Sequence, residues 1–127
     1  MPDVQLLIED EEKAFEPGDA LIAQAQWDLS SPPKYLELAL VWYTSGKGDR
    51  DFKVVERLRL EDLPASGSRR LGIQLPDSPW SFSGKLISLK WALELKVYPG
   101  KARARQEFIM APGRQEIVLG DTTASTT

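Results

Sequence analysis

The chain contains no cysteine and no histidine. The first absence excludes disulfide staples, thiolate metal sites and a cysteine nucleophile together. The second removes the commonest general base and the commonest transition-metal ligand, so catalysis would have to run on carboxylates, lysine, tyrosine or serine alone. No catalytic residue, no metal and no cofactor is therefore expected. A strong charge imbalance is missing too: 16 Lys and Arg against 19 Asp and Glu leave a formal charge of -3. There is thus no global pull toward nucleic acid or an anionic membrane, and partners must be recognised locally. No stretch approaches the ~18 apolar residues of a membrane span. Met1 to Asp10 carries neither a basic nor an apolar segment of the secretory kind. The expected location is the cytoplasm.

What is present is an ordinary globular balance, 42% hydrophobic and 28% charged over 127 residues. A chain of that length buries roughly two-thirds of the surface exposed when unfolded. The expectation is a single domain over residues 1–120, with 121–127 as a disordered polar tail. Apolar residues alternate with period two in segment after segment, and no window carries a helical stripe, so the chain reads as all-β.

Val4, Leu6 and Ile8 begin a short strand, and the acidic run Glu9 to Glu12 follows as a solvated connection. Pro17 and Gly18, between Phe15 and Asp19, form a turn signal, since Pro presets φ and Gly accepts the positive φ of a type II turn. Leu21, Ala23, Ala25, Trp27 and Leu29 are the inward set of the second strand. Past Pro32 and Pro33, a third strand shows Leu36, Leu38, Leu40 and Trp42 on one face and Tyr35, Glu37, Ala39, Val41 and Tyr43 on the other. Both faces are fairly apolar, which predicts a central strand. A fourth strand, Phe52 to Leu60, has Phe52, Val54, Leu58 and Leu60 in phase, with Lys53, Arg57 and Arg59 outward. Glu56 shares the apolar phase, which requires a β-bulge or a place at the margin. Leu63 to Arg70 is turn-rich, and Leu71, Ile73 and Leu75 make a short fifth strand.

The longest pattern is Ile87, Leu89, Trp91, Leu93, Leu95 and Val97, opposed by Ser88, Lys90, Ala92, Glu94 and Lys96. Pro99 and Gly100 turn the chain into a strand over residues 101–110, and Ile117 to Leu119 offers a final one. A two-residue loop at Pro99 and Gly100 would pair residues whose numbers sum to 199, setting Leu95 against Ala104 and Trp91 against Phe108. Each large inward residue then meets an apolar partner, except Leu93 opposite Gln106. A longer loop with a shifted register is the alternative, because a Pro-Gly type II turn splays strands. The fold class expected is a β-sandwich of about seven or eight antiparallel strands.

Several residues invite functional readings. Lys47, Gly48, Asp49, Arg50 and Asp51 suggest a phosphate or metal loop, yet the spacing matches neither a P-loop nor an EF-hand, and turn geometry alone favours Gly and Asp there. Asp10, Glu11 and Glu12 read as a solvated acidic loop. Lys101, Arg103 and Arg105 project from one strand face with Lys90 and Lys96 near them, a positive patch for a phosphate or an acidic peptide. The plain alternative is an ordinary polar face or edge protection. Trp27, Trp42 and Trp91 fall on inward phases and belong to the core. Trp80 lies outside any strand phase and is the best candidate for an exposed contact. Ser81 and Ser83 have no base at a recognisable spacing and read as turn residues.

Two segments carry a resemblance. Phe15, Glu16, Pro17, Gly18 and Asp19, entering a strand, resemble the F-x-P-G-[DE] entry of arrestin-like domains. Pro79, Trp80, Ser81, Phe82, Ser83 and Gly84, running into Leu86 to Trp91, are similar to the P-x-S-F-x-G stretch and following long strand of arrestin amino-terminal domains and their distant bacterial relatives. Together they cover about a third of the chain. The resemblance implies an immunoglobulin-like sandwich used for protein recognition or scaffolding. In it Gly18 and Gly84 would allow backbone turns and Phe82 would plug the sandwich end. Arrestins pair two sandwiches and this chain holds one, so their interdomain polar core and phosphate-triggered switch do not carry over.

The expectation is a non-enzymatic interaction or scaffold module with an unknown protein partner, with self-assembly as a homo-oligomer through a sheet edge as a further option. Its candidate surface is Trp80, Lys90, Lys96, Lys101, Arg103 and Arg105. A small-ligand or carbohydrate-binding module using Trp80 with Tyr35 or Tyr43 is the second reading. A carboxylate enzyme using Asp49, Asp51 and Glu56 is the weakest, because short loops leave little room for a cleft.

Overall fold

In the computed structural model, which describes residues 3–46 and 51–119, the period-two pattern builds two facing sheets. Seven long strands carry them: β1 (Asp3–Ile8), β3 (Ala20–Asp28), β4 (Tyr35–Gly46), β5 (Phe52–Leu60), β6 (Ser66–Gln74), β8 (Ile87–Tyr98) and β9 (Arg103–Met110). Three two-residue strands, β2 (Ala14–Phe15), β7 (Phe82–Ser83) and β10 (Ile117–Val118), complete the set. The small sheet has the order β1-β3-β6, antiparallel throughout. In the large sheet β5, β4, β8 and β9 run side by side, also antiparallel. The segment expected as a disordered tail, 121–127, lies outside the described residues, as do 47–50 of the charged loop.

The core fills the space between the sheets. Leu6, Leu21, Ala23 and Ala25 come from the small sheet, and Leu36, Leu38, Trp91, Leu93 and Leu95 from the large one, all almost wholly buried. Trp91 is fully buried, and its indole Nε1 donates to the Pro79 carbonyl oxygen at 2.8 Å. The phenyl rings of Phe15 and Phe108 meet edge to face at 5.7 Å. The β8-β9 register is the one the two-residue loop requires, with Leu95 opposite Ala104 and Trp91 opposite Phe108. At the other turn Asp19 N donates to Glu16 O, and Gly18 sits at φ 85°, as a type II turn demands.

Four expectations need correction. First, Phe52 and Val54 do not share a face with Leu58 and Leu60. The ladder between β4 and β5 shifts register after Leu40, which pairs with Glu56 while Val41 pairs with Val54, so Val55 is an extra residue. A one-residue bulge reverses the alternation. Leu58 and Leu60 therefore face the core, whereas Val54 packs with Ala39, Val41 and Ala92 on the outer face and Phe52 is 58% exposed. Second, β6 begins at Ser66, five residues before the apolar pattern, because backbone pairing with β3 extends through Asp28↔Ser66. Third, Phe15 is a buried strand residue paired with Met110 as well as the entry to a turn. Fourth, Gly84 keeps an ordinary φ; the close approach of Ile87 O, 2.7 Å from where a Cβ would stand, is what demands glycine.

Candidate basic interface on the large sheet

The strand pairings place the outward side chains of the large sheet in rows. Arg59, Glu37, Lys96 and Arg103 form one row across β5, β4, β8 and β9. Arg57, Ala39, Glu94 and Arg105 form the next, followed by Val54, Val41, Ala92 and Glu107. Phe52, Tyr43 and Lys90 lie in the fourth. Tyr35 and Tyr98 stack at the opposite end of the face, 4.7 Å between centroids.

Six basic side chains, Arg57, Arg59, Lys90, Lys96, Arg103 and Arg105, thus share one face with three carboxylates, Glu37, Glu94 and Glu107. The carboxylates engage two of the cations. Arg57 reaches Glu37 at 3.7 Å, and Arg105 reaches Glu94 at 3.6 Å and Glu107 at 3.9 Å. Among the described residues Lys90, Lys96, Arg59 and Arg103 make no salt bridge. The Arg59 guanidinium lies 4.0 Å over the Tyr35 ring and that of Arg105 lies 4.6 Å over Tyr43, holding two cations flat against the sheet. The Tyr43 hydroxyl donates to Glu107. Burial first, and the Glu107 carboxylate second, push the Tyr43 phenol above its ordinary range.

Of the residues singled out in the sequence, Arg103 and Lys96 are direct neighbours, and Arg105 lies on the same face beside Glu94. Lys90 stands about 20 Å further along β8, six residues from Lys96. It occupies a fork, where β8 leaves β9 for β7: Trp91 pairs with Phe108, but Leu89 pairs with Phe82. Lys101 sits in the turn before β9. Trp80 is 43% exposed and lies toward the Lys90 end, since its neighbour Ser81 bonds Met110, at the end of β9 about 24 Å from Arg103, and lines a recess together with Lys90. Arg57 and Arg59 were the residues missing from the sequence-based surface. Their outward phase was legible, but only the strand order brings β5 onto the face that β9 shares.

The other chemistries find weaker support. Tyr35 has Tyr98 on one ring face and Arg59 on the other, so no face is free for a sugar ring. Asp51, just before β5, bonds Thr44, whose hydroxyl receives its N–H, and Glu56, within β5, pairs with Leu40, so the two carboxylates stand at separate positions along the chain. Among the described residues no group of three or more Asp, Glu, Cys or His side chains is placed to hold a metal ion. No helix there is long and apolar enough to cross a membrane.

A second exposed feature was not foreseen. Leu86, Ile87, Val118 and Leu119 are 66%, 39%, 66% and 47% exposed and cluster around the β7-β10 end. Ile87 was expected inward, but it opens β8 at the β7-β10 end and is 39% exposed. Leu119 N donates to Ser83 O, fixing this edge.

The architecture defines a class: the chain has an arrestin-like β-sandwich fold. Among solved structures it is similar to Spo0M, the sporulation control protein of Bacillus subtilis, with a TM-score of 0.61, 14% identity and 87% of this chain covered. The match takes in 49% of the Spo0M chain, so this chain spans about half its length. At that identity the likeness is one of fold. No family model matches the chain, and no curated protein matches it.

Proposed function

We propose that the chain is a non-catalytic interaction or scaffold module that binds an acidic segment of a protein partner on the outer face of its large sheet. The observation that carries this reading is the gathering of six basic side chains on one face of a chain whose net charge is -3. Complementary charge of that kind steers encounter and fixes register between partners. The spacing favours a peptide over a nucleic acid. Glu37, Glu94 and Glu107 interrupt the basic rows, and a continuous phosphate backbone would have to pass over them. The arrestin-like fold and the similarity to a sporulation control protein agree with a regulatory or scaffolding role.

Self-association through a sheet edge is less favoured. The outer edge of the large sheet, β5, carries Lys53, Arg57 and Arg59 and is broken by the bulge at Val55; the edge strand β6 carries Arg69 and Arg70. Like charges and a bulge both oppose strand pairing between copies.

The test is affinity capture with the wild-type protein, Lys96→Glu/Arg103→Glu and Trp80→Ala. The expected result is a partner released by moderate salt, lost with the charge-reversed variant and retained by Trp80→Ala. A partner held equally by the charge-reversed variant would refute the assignment of this face.

A further inference from the structure

The basic face has one place where charge gives way to an apolar floor. Ala39, Val41 and Ala92 point to the solvent side of the large sheet, yet they are 5%, 0% and 0% exposed. Val54 packs against them, and the long side chains of Tyr43, Glu94 and Glu107 surround them in the neighbouring register positions. Beside this floor lies an open recess of about 310 Å³, lined by Tyr43, Thr44, Ser45, Asp51, Phe52 and Arg105.

Three features make the recess more than a gap between side chains. Phe52 forms its wall while 58% exposed, a large apolar surface that the bulge at Val55 has turned away from the core. Arg105 borders it with a guanidinium that lies 4.6 Å over the Tyr43 ring and reaches Glu94 at 3.6 Å and Glu107 at 3.9 Å, long contacts of a partly exposed cation for which an incoming carboxylate can compete. Asp51 lines the same recess. A carboxylate entering it would meet that charge, whereas an apolar side chain would not.

We infer that Phe52, Tyr43 and Arg105 form an anchor subsite, taking an apolar side chain of an extended partner segment while a carboxylate beside that side chain pairs with Arg105. The inference rests on the reading of the large-sheet face as a surface for an acidic segment, and it names the partner chemistry more narrowly: alternating acidic and apolar residues. Alternation suits an extended segment because neighbouring side chains point to opposite sides, so an apolar residue and its flanking carboxylates reach different groups.

Three fluorescein-labelled synthetic peptides test this by anisotropy at low salt: (Glu-Leu)4, (Glu-Ser)4 and (Lys-Leu)4. The expected order is (Glu-Leu)4 about tenfold tighter than (Glu-Ser)4, as burying one apolar side chain implies, with no binding of (Lys-Leu)4. Phe52→Ser should erase the preference for leucine, while Leu7→Ser, changing an equally exposed residue on the small sheet, should leave it. Equal binding of (Glu-Leu)4 and (Glu-Ser)4 would overturn the subsite and leave the acidic-partner reading standing. Failure of both to bind would overturn the two together. Binding of (Lys-Leu)4 as tight as (Glu-Leu)4 would overturn the part given to Arg105.

Discussion

Gly67 carries a sharp prediction about how the small sheet closes over the core. An added Cβ would stand 2.9 Å from Cζ2 and 3.3 Å from Cε2 of Trp27, closer than side chains tolerate. The obstacle is a rigid ring. Trp27 is 5% exposed, and its Nε1 donates to the Pro64 carbonyl oxygen at 2.9 Å, so the indole cannot tilt without straining that bond. Gly67→Ala should cost ~1–3 kcal/mol from overpacking, with about 1 kcal/mol more if the hydrogen bond is lost. Reduced freedom of the unfolded chain offsets ~0.4–1 kcal/mol of this. The net expectation is a loss of about 1–3 kcal/mol, or a fall in Tm of about 3–12 °C for a domain of this size.

Gly72→Ala, five residues along the same strand, is the control. A Cβ there meets only the terminal methyl of Ile22, at 3.4 Å, and the variant should match or slightly exceed the wild type in stability. Urea unfolding followed by tryptophan fluorescence and circular dichroism measures both. In the background Trp27→Phe, whose ring lacks the crowding atoms, the Gly67→Ala penalty should largely vanish, appearing as a coupling energy in the double-mutant cycle. Equal stability of Gly67→Ala and Gly72→Ala would refute the argument, since Trp27 would then yield at no cost.

Ser81 is 1% exposed and its Oγ accepts the Met110 N–H at 3.0 Å; Ser81→Ala leaves that buried donor unpaired and should cost ~1–3 kcal/mol in chemical denaturation. The Arg70 guanidinium and the Gln24 amide hold the Glu9 carboxyl below the usual carboxylate range. A lowered folded value means a stabilising contribution that is present above the ordinary glutamate range and lost as pH falls through the lowered one. Glu9→Gln should therefore flatten part of the acid limb of a stability-pH profile, and an unchanged limb would count against the pairing. Tyr43 has a raised value, from burial and then Glu107. Its contribution is present below the ordinary tyrosine range and lost as pH rises through the raised value. The phenolate absorbance missing from Tyr43→Phe should titrate above that range, and a normal titration would refute the clamp.

The phase of most long strands was legible in the sequence, because alternation of apolar and polar residues is imposed locally by the pleat, and β5 escaped that reading at its bulge. Leu36, Leu38 and Leu40 against Tyr35, Glu37 and Val41 already marked β4 as central, and it lies between β5 and β8. The β8-β9 register was equally readable, since a short loop leaves few pairings that keep both apolar faces inward. Ser66 to Arg70 gave no such signal: the side chains are small or charged, and strand character comes from the backbone of β3 alongside. Ala14, Phe15, Phe82 and Ser83 form strands too short to show a period; β2 pairs with the distant β9, and β7 with the distant β10 as well as with the nearby start of β8.

The candidate interface divides along the same line. Lys96, Arg103 and Arg105 could be grouped from the sequence because one hairpin carries them all. The sequence also determined that neither histidine nor cysteine chemistry is open to this chain, and that its core would be built by alternating strands. Tertiary structure alone decided that β5 joins the same sheet as β9, so that Arg57 and Arg59 enter the basic face while Trp80 stands at its far end, about 24 Å from Arg103. It also decided that the bulge at Val55 turns Phe52 out beside Tyr43. The physical reason is that side-chain phase follows from a few adjacent residues, whereas strand order and bulge position are set by which distant segments bury surface and satisfy hydrogen bonds together.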